Sequence, residues 1–266
     1  MTLPKIIVPI VASAEEKAIE QAEKIREKKP DIVELRLDHL WKGQMELLKT
    51  ENPDRIQATI MITNITDICE AVYETLNPGR ASGGTSSSID DADTIELLAT
   101  FRTLEEGGEC AIHPMDYIDL NNAMMEIGKA KYIDVELRTD EAVIKDFLAH
   151  AHEMGCEVVV SHHDFEKTPS VQEMCDTLEI MQKLGADIAK IAVMPNNMMD
   201  VANLLSATAQ MNLELEIPII TISMGKLGEV SRVYGGEFGS YATFATCGEA
   251  SAPGQIDIEN LKKSHF

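Results

Sequence analysis

A lysine in the middle of an apolar run is the residue of this chain best placed to do chemistry. It is Lys190, in Ala186-Asp187-Ile188-Ala189-Lys190-Ile191-Ala192-Val193-Met194. In a central strand, burial would strip the amine of water and disfavour its charged form. A neutral amine attacks carbonyl carbon and gives a protonated imine, an electron sink. The same residue also reads as a lysine snorkelling from a strand end, or held in a structural ion pair. Just upstream, Val158-Val159-Val160-Ser161-His162-His163-Asp164 ends in two histidines. Imidazole titrates near neutral pH and is the most economical general acid or base. Strand alternation sends neighbours to opposite sides, so one of the pair faces inward, and His163 shares its side with Ser161. Metal binding by the pair is disfavoured because neighbours do not converge. His150 and His152, two apart on a helical pattern, do not converge either.

Charges recur where strands should be dry. In Ile32-Val33-Glu34-Leu35-Arg36-Leu37-Asp38, a period of two puts Glu34, Arg36 and Asp38 on one side and the apolar set on the other. Ile133-Asp134-Val135-Glu136-Leu137 alternates in the same way. These are either half-exposed antiparallel strands or parallel strands with charges at a polar barrel mouth; the flanking helical patterns favour the second. Arg102 closes one apolar run, followed by Thr103-Leu104-Glu105-Glu106-Gly107-Gly108, and Arg232 follows another. Basic groups at strand ends in an acidic chain suit an anionic small molecule. An amine, a base and anion clamps together point to carbonyl chemistry on a carboxylate.

The elements that must position these groups alternate along the chain. Apolar runs at Lys5–Val11, Ile32–Leu37, Thr94–Phe101, Tyr132–Leu137, Glu157–Ser161, Asp187–Val193, Ile217–Ser223 and Tyr241–Thr246 predict strands. Amphipathic spacing predicts helices at Ala14–Lys28, Met115–Gly128, Glu141–Met154, Val171–Leu184 and Met198–Met211. Eight strands separated mostly by helices in 266 residues predict an α/β fold, a single (β/α)8 TIM barrel spanning residues 1–266. A doubly wound open sheet is the alternative, but its Gly fingerprint is missing. The connection from His39 to Asp93 exceeds one helix. It contains Pro78-Gly79-Arg80-Ala81-Ser82-Gly83-Gly84-Thr85, with no Gly-Lys-Ser/Thr, so residues 77–93 read as a flexible surface loop rather than a phosphate cradle.

Composition narrows the setting. Lys plus Arg number 23 against 45 Asp plus Glu, for a formal net charge of −22. Such a surface repels polyphosphates and anionic membranes and argues against nucleic-acid binding. No apolar stretch approaches the ~18 residues a membrane helix needs. The N-terminus lacks the pattern of a signal peptide. The cysteines (Cys69, Cys110, Cys156, Cys175 and Cys247) are odd in number and form no CxxC pair, which predicts buried reduced thiols and a cytoplasmic enzyme.

These motifs closely resemble those of type I 3-dehydroquinate dehydratase, an imine-forming enzyme family of the shikimate pathway. The resemblance rests on Pro4–Val8, Glu34–His39, Phe101-Arg102-Thr103 with Glu106-Gly107-Gly108-Glu109, Ser161–Phe165 with Thr168-Pro169, Gly185–Pro195 and Ala250–Gln255. It implies a (β/α)8 barrel that dehydrates 3-dehydroquinate to 3-dehydroshikimate with no metal or organic cofactor, commonly as a homodimer. By position, Lys190 matches the imine-forming lysine, His163 the general acid/base, and Glu106 the carboxylate that orients that histidine. Glu34, Arg36 and Arg102 match hydroxyl-binding and site-framing positions. Arg232, with Ser251 and Gln255, matches the group that holds the substrate carboxylate. The chain departs from the family pattern at Pro9, where many members carry Ser, and in a short last helix from about Ile256. A class I aldolase-like lyase and a barrel that binds without catalysis are the competing readings.

Overall fold

The computed structural model describes residues 3–79, 94–248 and 254–264. Eight strands run parallel: β1 (Lys5–Ile10), β2 (Ile32–Arg36), β3 (Glu96–Thr100), β4 (Tyr132–Glu136), β5 (Glu157–Asp164), β6 (Ile188–Val193), β7 (Ile219–Ser223) and β8 (Ala242–Thr246). Helix α1 (Glu15–Lys28) follows β1, and α2 (Leu37–Leu48) and α3 (Arg55–Leu76) both follow β2. Then α4 (Pro114–Glu126), α5 (Glu141–Met154), α6 (Val171–Leu184), α7 (Met198–Glu214) and α8 (Glu229–Tyr234) follow β3 to β7 in turn. A two-residue strand β9 (Ile256–Asp257) pairs with the end of β8 and leads into α9 (Ile258–Ser264).

Strand order is β7-β6-β5-β4-β3-β2-β1-β8-β9. The ring is completed between β7 and β8 by the Ile219–Ser240 bridge, where the Tyr241 N–H donates to the Ile219 carbonyl at 2.7 Å. This is the expected (β/α)8 barrel, wound with the helices outside.

Side-chain alternation builds two cores. Outward residues such as Val33, Leu35, Ala99, Ile133, Val160, Ala189 and Ile191 pack with the helices. Inward residues Ile7, Ile32, Leu98, Tyr132, Val159, Ile188 and Ile220 fill the lower barrel. One pleat higher the inward set turns polar: Glu34, Thr100, Asp134, Ser161 and Lys190, all buried. Helix ends follow their local chemistry. Ser170 and Glu173 form a capping box at the start of α6, and Gly185 ends it at φ 102°.

The connection after β2 differs most from expectation. It contains two helices, because Asp54 and Gln57 form a capping box that starts the 22-residue α3. The expected flexible stretch of residues 77–93 lies, from residue 80 onward, outside the described residues. Asp38 is not on a strand with Glu34 and Arg36. The chain turns helical at Leu37, which puts Asp38 in the first turn of α2, where a carboxylate suits the helix dipole. β5 runs three residues beyond Ser161, so both histidines belong to it. Residues Ile256–Asp257, expected in the last helix, are extended.

Candidate active site

The polar layer meets the loops at the carboxyl ends of the strands, where one cavity is lined by Glu34, Arg36, Arg102, Glu106, His163, Lys190, Arg232 and Gln255. Those are eight of the nine residues singled out from the sequence; the ninth, Ser251, lies outside the described residues. Phe165, Ile222, Met224 and Phe244 supply apolar walls.

Lys190 enters from the middle of β6 and is 4% exposed. Its Nζ lies 3.4 Å from Oδ2 of Asp134 and 3.9 Å from Oε1 of Glu34. The ring of Phe244 sits beneath it, with its centroid 4.7 Å from Nζ, a cation–π distance. Ser161 is the register partner of Lys190 on β5, which places His163 one inward step nearer the mouth.

Glu106 closes a short 3₁₀ turn, Leu104–Glu106, and its side chain is fully buried. Gly107 turns the chain at φ 83°, a conformation costly for side-chain-bearing residues. A Cβ there would collide with the Phe165 ring, which itself stacks on His163 with centroids 6.4 Å apart. His163 Nδ1 and its backbone N–H both reach Glu106 Oε2, at 3.0 and 3.1 Å. A carboxylate only accepts, so it fixes the His163 proton on Nδ1 and leaves Nε2 for a bound molecule.

His162 also reaches Glu106, through Oε1 at 3.0 Å. The neighbouring histidines therefore do converge on one group, contrary to the reading from alternation. The carboxylate stands over the strand end, where side chains from either face can bend to it.

Arg102 is the electrostatic hinge of the site. Nη1 donates to Glu136 at 2.9 Å and to Ser161 Oγ at 3.0 Å, and Nη2 donates to Asp134 at 2.8 Å. Glu106 lies 3.6 Å from Nη1. Burial opposes its charge, but these carboxylates outweigh that and raise its pKa. For Asp134 burial alone would raise the pKa; Arg102 first, then Lys190, His163 and Ser161, hold it at about 2. Glu106 behaves likewise. Burial is outweighed by hydrogen bonds from His162 and His163 and by the Arg102 charge, and it is held at about 2. His163 moves the other way. Burial, then the Arg102 charge, push it down to about 3 despite Glu106. The site thus presents a neutral imidazole beside an ionised carboxylate.

Arg36 is pinned by two hydrogen bonds to Asp38, at 2.8 and 2.7 Å. Glu34 accepts from Thr100 at 3.1 Å. Arg232, on α8, is 1% exposed, and burial lowers its pKa to about 10 against the pull of Glu229. Sequence reasoning flagged Asp134 and Glu136 as oddly placed charges without giving them a site role. It gave no site role to Ser161, His162, Phe165 or Phe244, of which only the two histidine-run neighbours carry any polar signal. Among the described residues, no group of three or more His, Cys, Asp or Glu is arranged to hold a metal ion, and no helix is long and apolar enough to cross a membrane.

The comparisons agree with this architecture. A 3-dehydroquinate dehydratase of Salmonella typhimurium is 40% identical over 260 residues, covering 97% of this chain and 90% of the relative. A crystal structure of the type I enzyme from Clostridium difficile with covalently modified comenic acid superposes with a TM-score of 0.83 at 34% identity, covering 100% of this chain and 92% of that one. The 3-dehydroquinate dehydratase of Geobacillus kaustophilus superposes with a TM-score of 0.84 at 30% identity, covering 99% of this chain and 90% of that one. The family model for Type I 3-dehydroquinase matches residues 6–265, and the chain belongs to that family.

Proposed function

We propose that the protein dehydrates 3-dehydroquinate to 3-dehydroshikimate through an imine on Lys190, with His163 as general acid and base and no cofactor. One observation carries the reading: a buried amine and a mostly buried imidazole line the same cavity beside Arg36, Arg102 and Arg232. The covalently modified ligand named for the Clostridium difficile relative is in keeping with a nucleophile in such a site.

The steps conserve atoms and protons. Lys190 gives a proton to His163 Nε2, its free amine bonds to the ketone carbon, and the carbinolamine hydroxyl takes that proton back from His163 and leaves as water. His163 Nε2 then takes a proton from the carbon next to the imine, and the electron pair flows to the imine nitrogen as an enamine. The enamine pushes out the hydroxyl, which leaves as water with the proton that His163 holds. Water hydrolyses the product imine and frees the lysine.

Each neighbour has a part. Glu106 stays ionised and stabilises the transient His163 imidazolium. Arg102 keeps Asp134 and Glu106 charged and holds them and Glu136 in place without touching the reacting carbon. Glu34 and Arg36 face substrate hydroxyls, while Arg232, with Gln255 and Ser251, takes the carboxylate. A homodimer in the cytoplasm belongs to the same reading, and light scattering of the purified protein tests its assembly.

The test is the appearance of the enone product by its ultraviolet absorbance when purified protein meets 3-dehydroquinate. The reading expects product from the native protein and none above background from Lys190→Ala. An aldolase, or a barrel that only binds, gives no enone.

A further inference from the structure

Glu106 serves two imidazoles through different oxygens. Oε2 takes Nδ1 of His163 at 3.0 Å, and Oε1 takes Nδ1 of His162 at 3.0 Å. The carboxylate is fully buried, whereas the His162 side chain is 32% exposed. His162 is not among the residues lining the cavity that holds Lys190. It grips the carboxylate from the opposite side of the strand end.

A carboxylate bonded through one oxygen can pivot about the bond that carries it; bonded through both, its plane is set. The plane matters because Oε2 orients the His163 ring and so aims Nε2. The second donor also spreads the carboxylate's negative charge, which keeps the Nδ1 proton on His163 rather than on Glu106.

We propose that His162 is a positioning residue for the dehydration: its Nδ1–H, donated to Oε1, fixes the plane of Glu106 and through it the aim of His163. The role rests on the function proposed above. His162 touches no substrate, so its contribution falls on the proton-transfer steps and not on binding. The signal in the sequence is the first histidine of Ser161-His162-His163-Asp164, which the reaction itself leaves unused.

Two substitutions separate positioning from bulk. His162→Phe keeps a ring of similar size without an N–H, whereas His162→Asn offers an amide N–H close to where Nδ1 stood. Steady-state kinetics with 3-dehydroquinate should show kcat of H162F lowered about tenfold, a part of the ~10²–10⁴-fold that positioned acid–base catalysis supplies. KM should stay within about twofold, because an interaction made only along the reaction path leaves substrate binding alone. H162N should regain most of the lost kcat.

Native kcat in H162F, a loss carried by KM, or an H162N no better than H162F would each overturn the proposal. Thermal unfolding midpoints check that the variants fold. Should H162F fail to fold, His162→Ala removes the same donor without added bulk and takes its place. A native protein that makes no enone refutes the dehydratase reading itself; a native protein that turns over while H162F is unaffected refutes the positioning role alone.

Discussion

Lys190 Nζ lies 3.4 Å from Oδ2 of Asp134, whose other oxygen is held by Arg102 at 2.8 Å. One buried carboxylate is thus shared by the amine and the guanidinium. Such sharing fixes the direction of the amine without committing the carboxylate to it, since Arg102 and Ser161 already hold Asp134 in place. The amine is therefore aimed from below by Phe244 and from the side by Asp134, with the cavity in front of it.

If Lys190 forms the imine, borohydride added with substrate reduces it to a stable secondary amine. Mass spectrometry of the native protein should find the added mass on the peptide containing Lys190, and Lys190→Ala should show none. The substitution should also lower turnover by at least ~10³-fold, as expected when a covalent nucleophile is lost. Near-native turnover in that variant would end the imine account.

Replacing Arg102 by Met removes the cation that compensates Asp134, Glu136 and Glu106. Leaving buried carboxylates unpaired costs about 3–5 kcal/mol. Urea unfolding at neutral pH should show a loss of that order, with the slope of the transition unchanged. A loss of less than about 1 kcal/mol would mean that water reaches these carboxylates.

Acid should destabilise the fold in a defined window. Burial, then Arg102, depress His163 from 6.5 to about 3, so the unfolded chain binds its proton at higher pH than the folded one. The stability tied to a neutral His163 is present above pH 6.5 and is lost as the pH falls towards about 3. Glu106, lowered from 4.5 to about 2, acts in the same sense below pH 4.5. His162, raised above 6.5 by its hydrogen bond to Glu106, works the other way. The urea midpoint should therefore drop on acidification from ~pH 7 to ~pH 4, and drop less in His163→Gln. Equal drops in the two proteins would show that His163 is not the group responsible.

Gly107→Ala tests the turn that presents Glu106. The residue sits at φ 83° with the Phe165 ring against its α-carbon. A methyl group there meets both backbone strain, of order 1–2 kcal/mol, and the ring stacked on His163. We expect a modest loss of stability with a larger loss of kcat, because Phe165 must move against the imidazole. Unchanged kcat with lowered stability would confine the role of Gly107 to folding.

Some of this site is legible in the sequence because certain residues have no other business where they stand. A lysine between Ala189 and Ile191 and an alternation of Glu34 and Arg36 inside an apolar strand conflict with burial unless a site explains them. Asp134 and Glu136 show the same conflict, yet they look alike in sequence. Only the reach of Arg102 reveals that Asp134 faces the lysine while Glu136 braces Thr103. Phe244 is invisible from sequence, since an aromatic residue in a strand is explained by hydrophobicity alone. The meeting of His162 and His163 on Glu106 depends on a 3₁₀ turn ending in a left-handed glycine, a geometry that strand periodicity does not encode. The second helix after β2 does carry a signal in the sequence. Ile65, Ile68, Cys69, Val72 and Leu76 recur at helical spacing and are buried behind the Asp54–Gln57 cap.

The barrel wall is not equally strong all the way round. Seven of its joints are ladders of several rungs, whereas β7 meets β8 through one bridge at Ile219 and Ser240. A cylinder stitched this unevenly parts at its lightest seam first, so amide protons of β8 should exchange with deuterium sooner than those of β5 and β6. Phe244 rides on β8, and a gap there would carry the aromatic floor away from Lys190 while leaving His163 and Glu106 untouched. Chemistry would then fail before the rest of the protein melts, and loss of turnover on warming would run ahead of loss of helix signal.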